Sequence, residues 1–180
     1  MYYYQKEKHK VFFSFYHKED QKYKDYIDTF LSDDIINKSV KDGEYNTEIS
    51  DEYVKRLIRE DKISDSSVIV VLVGPNTRKR KHVDWEIYAG LRESINGSAG
   101  LIGVLLPEFP LSSDNKYRYD DLPARLADNV KSGYSDIYSW KCFKDNHISL
   151  IDEAFDNRIK RKDKKDNTRL QMKRNLGENE

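Results

Sequence analysis

Short apolar runs alternate with helical stripes along this chain. Val68–Val73 is an unbroken apolar run dominated by valine, and Val11–Phe15 and Leu101–Leu106 are runs of similar length. Runs of this kind, with β-branched residues and little polar alternation, are typical of strands buried on both faces, as in a parallel sheet. Ser39–Val40 and Asp136–Trp140 are shorter candidates, the latter for an edge strand.

Between these runs the apolar residues recur at helical spacing and predict amphipathic helices. The stripes comprise Tyr23, Tyr26, Ile27, Phe30, Leu31 and Ile35; Ile49, Tyr53, Val54, Leu57 and Ile58; Val83, Ile87, Leu91 and Ile95; and Ile148, Ile151, Phe155 and Ile159, with Asn146 as a cap. Leu122–Leu126 predicts a further short helix with an early proline.

The alternation of strands and helices predicts an α/β domain, with a mainly parallel central sheet between two layers of helices and right-handed crossovers. We expect residues 1–159 to form this single domain. The charged segment 160–180 is expected to be either a helical extension or disordered.

Composition restricts the partners. Lys and Arg total 32, as do Asp and Glu, so the net charge of zero argues against nucleic-acid binding. No apolar run approaches the length of about 20 residues that crosses a membrane, and the N-terminus lacks an apolar signal core. The single cysteine, Cys142, suits a reducing compartment. A cytoplasmic protein without membrane contact is expected.

Common signatures of catalytic and cofactor sites are missing. The sequence contains no GxGxxG, GxxxxGK[ST] or GxSxG motif, and its four histidines lack metal-ligand spacing. Neither a metal nor a bound cofactor is therefore expected. What remains is a carboxylate, Glu86, placed after a strand whose carboxyl end is where an open parallel sheet binds ligands. An acidic residue in the first helical turn is also favoured by the helix dipole alone.

Two stretches resemble a known family. The segment HKVFFSFYHKED resembles the opening box of TIR domains, in which an apolar strand ends in Ser-aromatic and continues into a polar loop. The segment SDSSVIVVLVGPNTRKRKHVDWEIYAGL is similar to bacterial TIR-like proteins that join a strand, a Gly-x-x-Thr loop and a (W/H)V-x-aromatic-Glu-Ile helix. With Leu122–Leu126 and Asn129, the resemblance spans Lys10 to Phe155 and is nearest to ThsB, the TIR-like component of Thoeris anti-phage defence.

This resemblance implies a flavodoxin-like TIR fold. It also implies an enzyme that cleaves NAD+, as a substrate, at the nicotinamide–ribose bond and forms a cyclic ADP-ribose isomer or a related conjugate. That diffusible nucleotide would activate a ThsA-type effector, and a homo-oligomer is possible. Glu86 takes the place of the TIR catalytic glutamate. Two alternatives remain, a non-catalytic TIR interaction module and a nucleoside or nucleotide N-glycosidase of similar fold.

Further substrate-binding candidates lie on the first strand and the loop after it. Phe15 is expected to be half core and half pocket wall, and Tyr16 and His17 either contact the ribose or a base or are simply exposed. Ser14 either donates a hydrogen bond to a phosphate or bonds the backbone. Phe12, inside the strand, is more consistent with the core.

Candidates elsewhere carry open alternatives. Trp85 either stacks on substrate or packs on a neighbouring helix, and Asp84 is expected as a capping or surface carboxylate. Glu44 belongs to a polar loop that either closes over the substrate or is solvated. Arg78, in the basic run of residues 78–81, either steers the NAD+ diphosphate or lies in a solvated loop. His82 stands where relatives often carry Trp.

Overall fold

Five parallel strands form the centre of the molecule. The computed structural model describes residues 7–39, 52–95 and 97–177. Within these ranges the strands are β1 (Lys10–Ser14), β2 (Ile36–Asn37), β3 (Val68–Val73), β4 (Gly100–Leu105) and β5 (Asp136–Ser139). Their spatial order is β2-β1-β3-β4-β5, and every neighbouring pair is parallel. This is the flavodoxin-like order, so the predicted fold class is confirmed.

Helices cover both faces of the sheet. They are α1 (His17–Phe30), α2 (Glu52–Ser64), α3 (Lys81–Leu91), α4 (Ala124–Ser132) and α5 (Trp140–Lys160), with short 3₁₀ turns at Ser32–Asp34, Thr77–Lys79, Tyr119–Asp121 and Lys162–Lys164. Core residues of α1 and α5 pack on one face of the sheet, and core residues of α2, α3 and α4 pack on the other. No helix in the described ranges is long and apolar enough to cross a membrane.

The sheet has a hydrophobic core on each face, and this explains why the strands are continuous apolar runs in the sequence. Successive side chains of a strand point to opposite faces. Phe13 therefore joins the α1–α5 core, whereas Phe12 joins the core beneath α3. All six residues of β3 are buried, because this strand has helices on both sides.

Several local predictions were wrong. The second strand lies at Ile36–Asn37 rather than at Ser39, whose hydroxyl instead accepts a hydrogen bond from the Phe13 amide at 2.7 Å. Ile95 is fully exposed, because α3 ends at Leu91 and the next residue is extended. The last helix begins six residues before its expected cap, and Asn146 lies at a kink within it, with φ −136°.

The described part of the charged C-terminal segment packs on the domain. After the 3₁₀ turn at Lys162–Lys164, residues 165–177 contain no helix and run across α3 and α4. We call residues 165–177 the C-terminal strap. Its contacts include hydrogen bonds from the Met172 amide to Asp84 at 2.8 Å and from the Leu176 amide to the Lys79 carbonyl at 2.9 Å. The strap is thus attached to α3 and to the turn that precedes it.

Candidate active site at the switch point of the sheet

The candidate site lies where the strand order reverses. The chain passes from β1 outward to β2 and then returns to β3 on the other side of β1. In open α/β sheets this reversal leaves a crevice at the carboxyl ends of the two central strands, and ligands bind there. Ser14 is the last residue of β1, and α3 begins shortly after the carboxyl end of β3. Side chains from both segments therefore meet at this crevice.

Glu86 is the buried carboxylate of the crevice. Because α3 begins at Lys81, Glu86 belongs to the second turn and Asp84 to the first, so the helix-dipole explanation considered for Glu86 applies to Asp84 instead. Glu86 is only 4% exposed, and Ser14 is fully buried. The Ser14 hydroxyl donates to Glu86 Oε2 at 2.5 Å. A short hydrogen bond to a carboxylate in a low-dielectric site is stronger than a neutral one and fixes the carboxylate.

The second oxygen of Glu86 faces a guanidinium. Arg59, on α2, places Nε at 3.7 Å from Glu86 Oε1, and its side chain is 26% exposed. Nothing in the sequence pattern indicated Arg59, because the apolar stripe that predicted α2 ended at Ile58, whereas the helix continues to Ser64. Both carboxylate oxygens of Glu86 therefore have a partner from another element.

Removing the Ser14 hydroxyl tests its role as the residue that positions Glu86. Ser14→Ala is expected to lower the free energy of unfolding by about 1–3 kcal/mol, because a buried carboxylate loses a hydrogen-bond donor. Chemical denaturation measures this change. Ser135→Ala is the matched control, since Ser135 is also buried but its hydroxyl has no hydrogen-bond partner among the described residues. Equal effects of the two substitutions would contradict a special role for Ser14.

The loop after β1 and His17, which was expected in that loop but begins α1, form a rim of rings near the first turn of α3. The Phe15 and His17 rings lie 4.1 Å apart between centroids, and the His17 and His82 rings lie 6.0 Å apart. His82 Nε2 is 3.1 Å from the Phe15 carbonyl oxygen, and the Arg80 guanidinium lies 4.2 Å from the centre of the Tyr16 ring. Tyr16 and His17 are half-buried. The structure thus brings the predicted loop residues together with α3.

Two of the predicted residues lie in the core, and two others contact the C-terminal strap or lie in the turn before α3. Phe12 and Phe15 are each 2% exposed and belong to the two opposite cores. Trp85 is half-buried, and its indole N–H donates to the Met172 carbonyl of the C-terminal strap at 2.8 Å. Arg78 is half-buried in the 3₁₀ turn before α3. Glu44 lies outside the described residues.

Asp84 is neither the capping carboxylate nor the surface carboxylate that was expected. It is 4% exposed, and it accepts hydrogen bonds from Arg125 Nε at 2.9 Å and from the Met172 amide at 2.8 Å. Arg125 is fully buried and also donates to Asn167 of the strap at 3.0 Å. This buried ion pair joins α3, α4 and the strap, and so fixes the helix that carries Glu86.

A second buried carboxylate, Asp20, lies in the first half of α1. It is 4% exposed, and it accepts a 3.3 Å hydrogen bond from the Thr77 hydroxyl, which itself accepts from the Gly74 amide at 2.8 Å. Burial raises the pKa of Asp20 to about 6; the Thr77 hydrogen bond opposes this, and the charges of Glu19 and Glu108 add to it. Asp20 thereby connects α1 to the turn that leads into α3. The sequence pattern did not single it out.

The raised pKa predicts a pH-dependent stability. Between about pH 4 and about pH 6 the native state binds more protons at Asp20 than the unfolded chain does, so this residue's contribution to stability falls as pH rises. Asp20→Asn removes this titration and keeps an acceptor for Thr77. Relative to wild type, its unfolding free energy is expected to be higher at pH 7.5 than at pH 4.5 by on the order of 1 kcal/mol. Denaturant titrations at both pH values measure this, and a pH-independent difference would contradict the assignment. Exposed Asp25→Asn is the control.

The described residues contain no group of three or more His, Cys, Asp or Glu side chains that could hold a metal ion. What the crevice offers chemically is a buried, hydrogen-bonded carboxylate with a guanidinium beside it and a rim of rings. A preorganised carboxylate in a low-dielectric site stabilises positive charge that develops on a bound molecule.

Comparison with known protein families identifies the family of this chain. The family model described as Thoeris protein ThsB, TIR-like domain, matches residues 12–109. This range is more than half of the chain and includes Ser14, Arg59 and Glu86, whereas α4, α5 and the strap lie beyond it. No curated protein matches the chain. The chain therefore belongs to the ThsB TIR-like domain family of Thoeris proteins.

Proposed function

We propose that this protein cleaves NAD+ at the bond between nicotinamide and ribose, and that Glu86 is the catalytic residue. The observation that carries the proposal is the Glu86 carboxylate, 4% exposed and held by Ser14 at the switch point of a parallel sheet. The match to the ThsB TIR-like domain covers this residue and its partners.

The chemistry requires stabilisation of positive charge more than proton transfer. When the bond from ribose C1′ to the nicotinamide nitrogen breaks, its electron pair leaves with nicotinamide, which departs neutral. No general acid is needed for this leaving group. The ribose becomes oxocarbenium-like, as in glycoside hydrolysis. A carboxylate beside the ring stabilises that charge and accepts hydrogen bonds from the ribose hydroxyls.

The product depends on which nucleophile reaches C1′. Attack by water gives ADP-ribose, whereas attack by a nucleophilic atom of the same molecule closes a cyclic ADP-ribose isomer. Aromatic side chains that exclude water favour the internal reaction. Tyr16 and His17, at the rim, are the proposed substrate-facing rings, with Phe15 behind His17. We further propose that the cyclic product activates a ThsA-type effector, which suits a cytoplasmic enzyme of Thoeris defence.

A substrate panel tests this function. Purified protein is incubated separately with NAD+, nucleosides and deoxynucleosides, once in dilute solution and once at a high concentration at which it clusters. The released bases are separated chromatographically. We expect nicotinamide to be released from NAD+ and no base to be released from the nucleosides or deoxynucleosides. Release of bases from nucleosides without NAD+ consumption would indicate an N-glycosidase instead. No reaction under any condition would favour a non-catalytic interaction module.

A further inference from the structure

We propose that Arg59 binds the diphosphate of the substrate and that it does so by exchanging its ion pair with Glu86 for one with a phosphate. The inference deepens the proposed function, because it rests on a ribose-containing dinucleotide at Glu86. It assigns a role to a residue on α2 that is not part of the Glu86 helix or of the loop after β1.

The starting point is the occupancy of the Glu86 carboxylate. Ser14 donates to Oε2 at 2.5 Å, and Arg59 Nε lies 3.7 Å from Oε1. Both oxygens keep unused lone pairs, but Glu86 is only 4% exposed, so a ribose hydroxyl reaches the carboxylate only if a group that covers it moves. Binding of a ribose at Glu86 therefore implies that Ser14 or Arg59 gives way.

Arg59 is the partner that can leave. The Ser14 hydroxyl is on a short side chain of a central strand and is fully buried. The Arg59 side chain is long, comes from a helix and is 26% exposed. Its contact with Glu86, at 3.7 Å, is also longer than the Ser14 hydrogen bond. Long charged side chains change rotamer while their head group stays solvated, so opening the Arg59 pair costs less than breaking the Ser14 hydrogen bond.

The released guanidinium has a suitable new partner within the same substrate. In a pyridine dinucleotide, the phosphate is joined to the nicotinamide ribose through one methylene and one oxygen. A side chain that starts beside the carboxylate holding that ribose can therefore turn to the phosphate without a backbone movement. The planar fork of an arginine matches phosphate oxygens with two parallel hydrogen bonds.

This exchange also improves the electrostatics of bond cleavage. While Arg59 stays beside Oε1, its positive charge reduces the ability of Glu86 to stabilise a positive ribose. Once the guanidinium has moved to a phosphate, the carboxylate field acts on the ribose alone. Recognition of the diphosphate is thus coupled to activation of Glu86, and phosphate-free nucleosides do not obtain that benefit.

Equilibrium binding separates this role from that of a structural contact. The Kd values of ADP-ribose and adenosine are measured by calorimetry for wild type, Arg59→Gln and Arg59→Lys. Arg59→Gln is expected to weaken ADP-ribose binding about tenfold to a hundredfold, the range for a lost charged hydrogen bond, and to leave adenosine binding unchanged. Arg59→Lys is expected to weaken ADP-ribose binding by an intermediate amount, because lysine keeps the positive charge but lacks the planar guanidinium that forms two parallel hydrogen bonds. Arg92→Gln, exposed at the far end of α3, is the control and should bind like wild type.

Three results would overturn the proposal. They are wild-type protein that does not bind ADP-ribose, Arg59→Gln that binds it as tightly as wild type, and equal weakening for ADP-ribose and adenosine. Arg59→Lys supplies the same comparison if Arg59→Gln does not fold. Because binding needs no turnover, Arg59-dependent ADP-ribose binding without NAD+ consumption would refute the proposed function and leave this inference intact.

Discussion

Replacing Arg125 with methionine is expected to lower the free energy of unfolding by about 3–5 kcal/mol, because it leaves a buried carboxylate without its charged partner. Arg125 is fully buried, Asp84 is 4% exposed, and the two side chains are joined by a 2.9 Å hydrogen bond. After the substitution, Asp84 retains the Met172 amide as a donor but loses its hydrogen-bonded countercharge, and only the more distant charge of Arg169 still acts on it. Denaturant unfolding followed by circular dichroism measures the loss.

The matched control is another arginine ion pair near the surface. Arg169 of the strap pairs with Asp128 of α4 at 2.6 Å, and its side chain is 45% exposed. Arg169→Met is expected to cost less than about 1 kcal/mol, since exposed ion pairs contribute little. The double variant Asp84→Asn with Arg125→Met should recover part of the loss, because it removes both charges. Similar losses for Arg125→Met and Arg169→Met would contradict a buried pair that fixes α3.

Replacing Glu86 with glutamine is expected to reduce the turnover rate with NAD+ by at least about 100-fold, the loss seen when one preorganised electrostatic contact to a transition state is removed. Glutamine keeps the size of the side chain and an oxygen that accepts from Ser14, so the fold should be retained. Since the carboxylate charge acts mainly on the oxocarbenium-like state, we expect the loss in kcat rather than in KM. Steady-state kinetics with NAD+ measures both constants.

Two further observations make the Glu86 result interpretable. Glu93→Gln changes an exposed carboxylate just beyond the end of α3 and should leave turnover unchanged. The thermal midpoint of Glu86→Gln should stay close to that of wild type, which would separate a catalytic loss from unfolding. A folded Glu86→Gln protein with wild-type kcat would remove Glu86 from the chemistry.

Much of the fold was predictable because burial on both faces leaves a direct trace in sequence. The valine-rich run of β3 and the apolar stripe of α3 correspond to elements of the sheet and of its covering layer. The boundaries were less predictable, since an apolar residue at the right spacing carries no information about where a helix ends. Ile95 continues the α3 stripe in sequence but lies beyond the helix and is exposed.

The site was only partly predictable. Placing the residues after β1 at the same edge of the sheet as Glu86 followed from parallel topology. The direct hydrogen bond between Ser14 and Glu86 was not predicted, because it joins residues 72 positions apart and depends on side-chain geometry. Arg59 was missed because a polar residue after an apolar stripe looks like solvent-facing surface. Its position opposite Glu86 follows from the packing of α2 against α3, which periodicity does not describe.

The buried charges and the strap left no sequence signal for a different reason. Acidic and basic residues are seldom buried, so Asp84 was expected as a capping or surface carboxylate, and its partner lies 41 positions away in a short helix. The strap is held by hydrogen bonds to backbone groups and to polar side chains of α3 and α4. Asn167 of the strap, for example, donates to the Tyr88 carbonyl of α3 and accepts from the Arg125 side chain of α4. A charged segment held in this way has no apolar periodicity and resembles a solvated tail.

Proton NMR of NAD+ in the presence of concentrated protein follows cleavage of the nicotinamide–ribose bond as it occurs and shows whether Glu86 promotes it. With wild-type protein, the proposed chemistry predicts that the nicotinamide signals of intact NAD+ are replaced by those of free nicotinamide, with one ADP-ribose-derived product formed per nicotinamide. With Glu86→Gln protein, the NAD+ spectrum should stay unchanged over the same period. Free nicotinamide that accumulates equally fast with folded Glu86→Gln protein would contradict it.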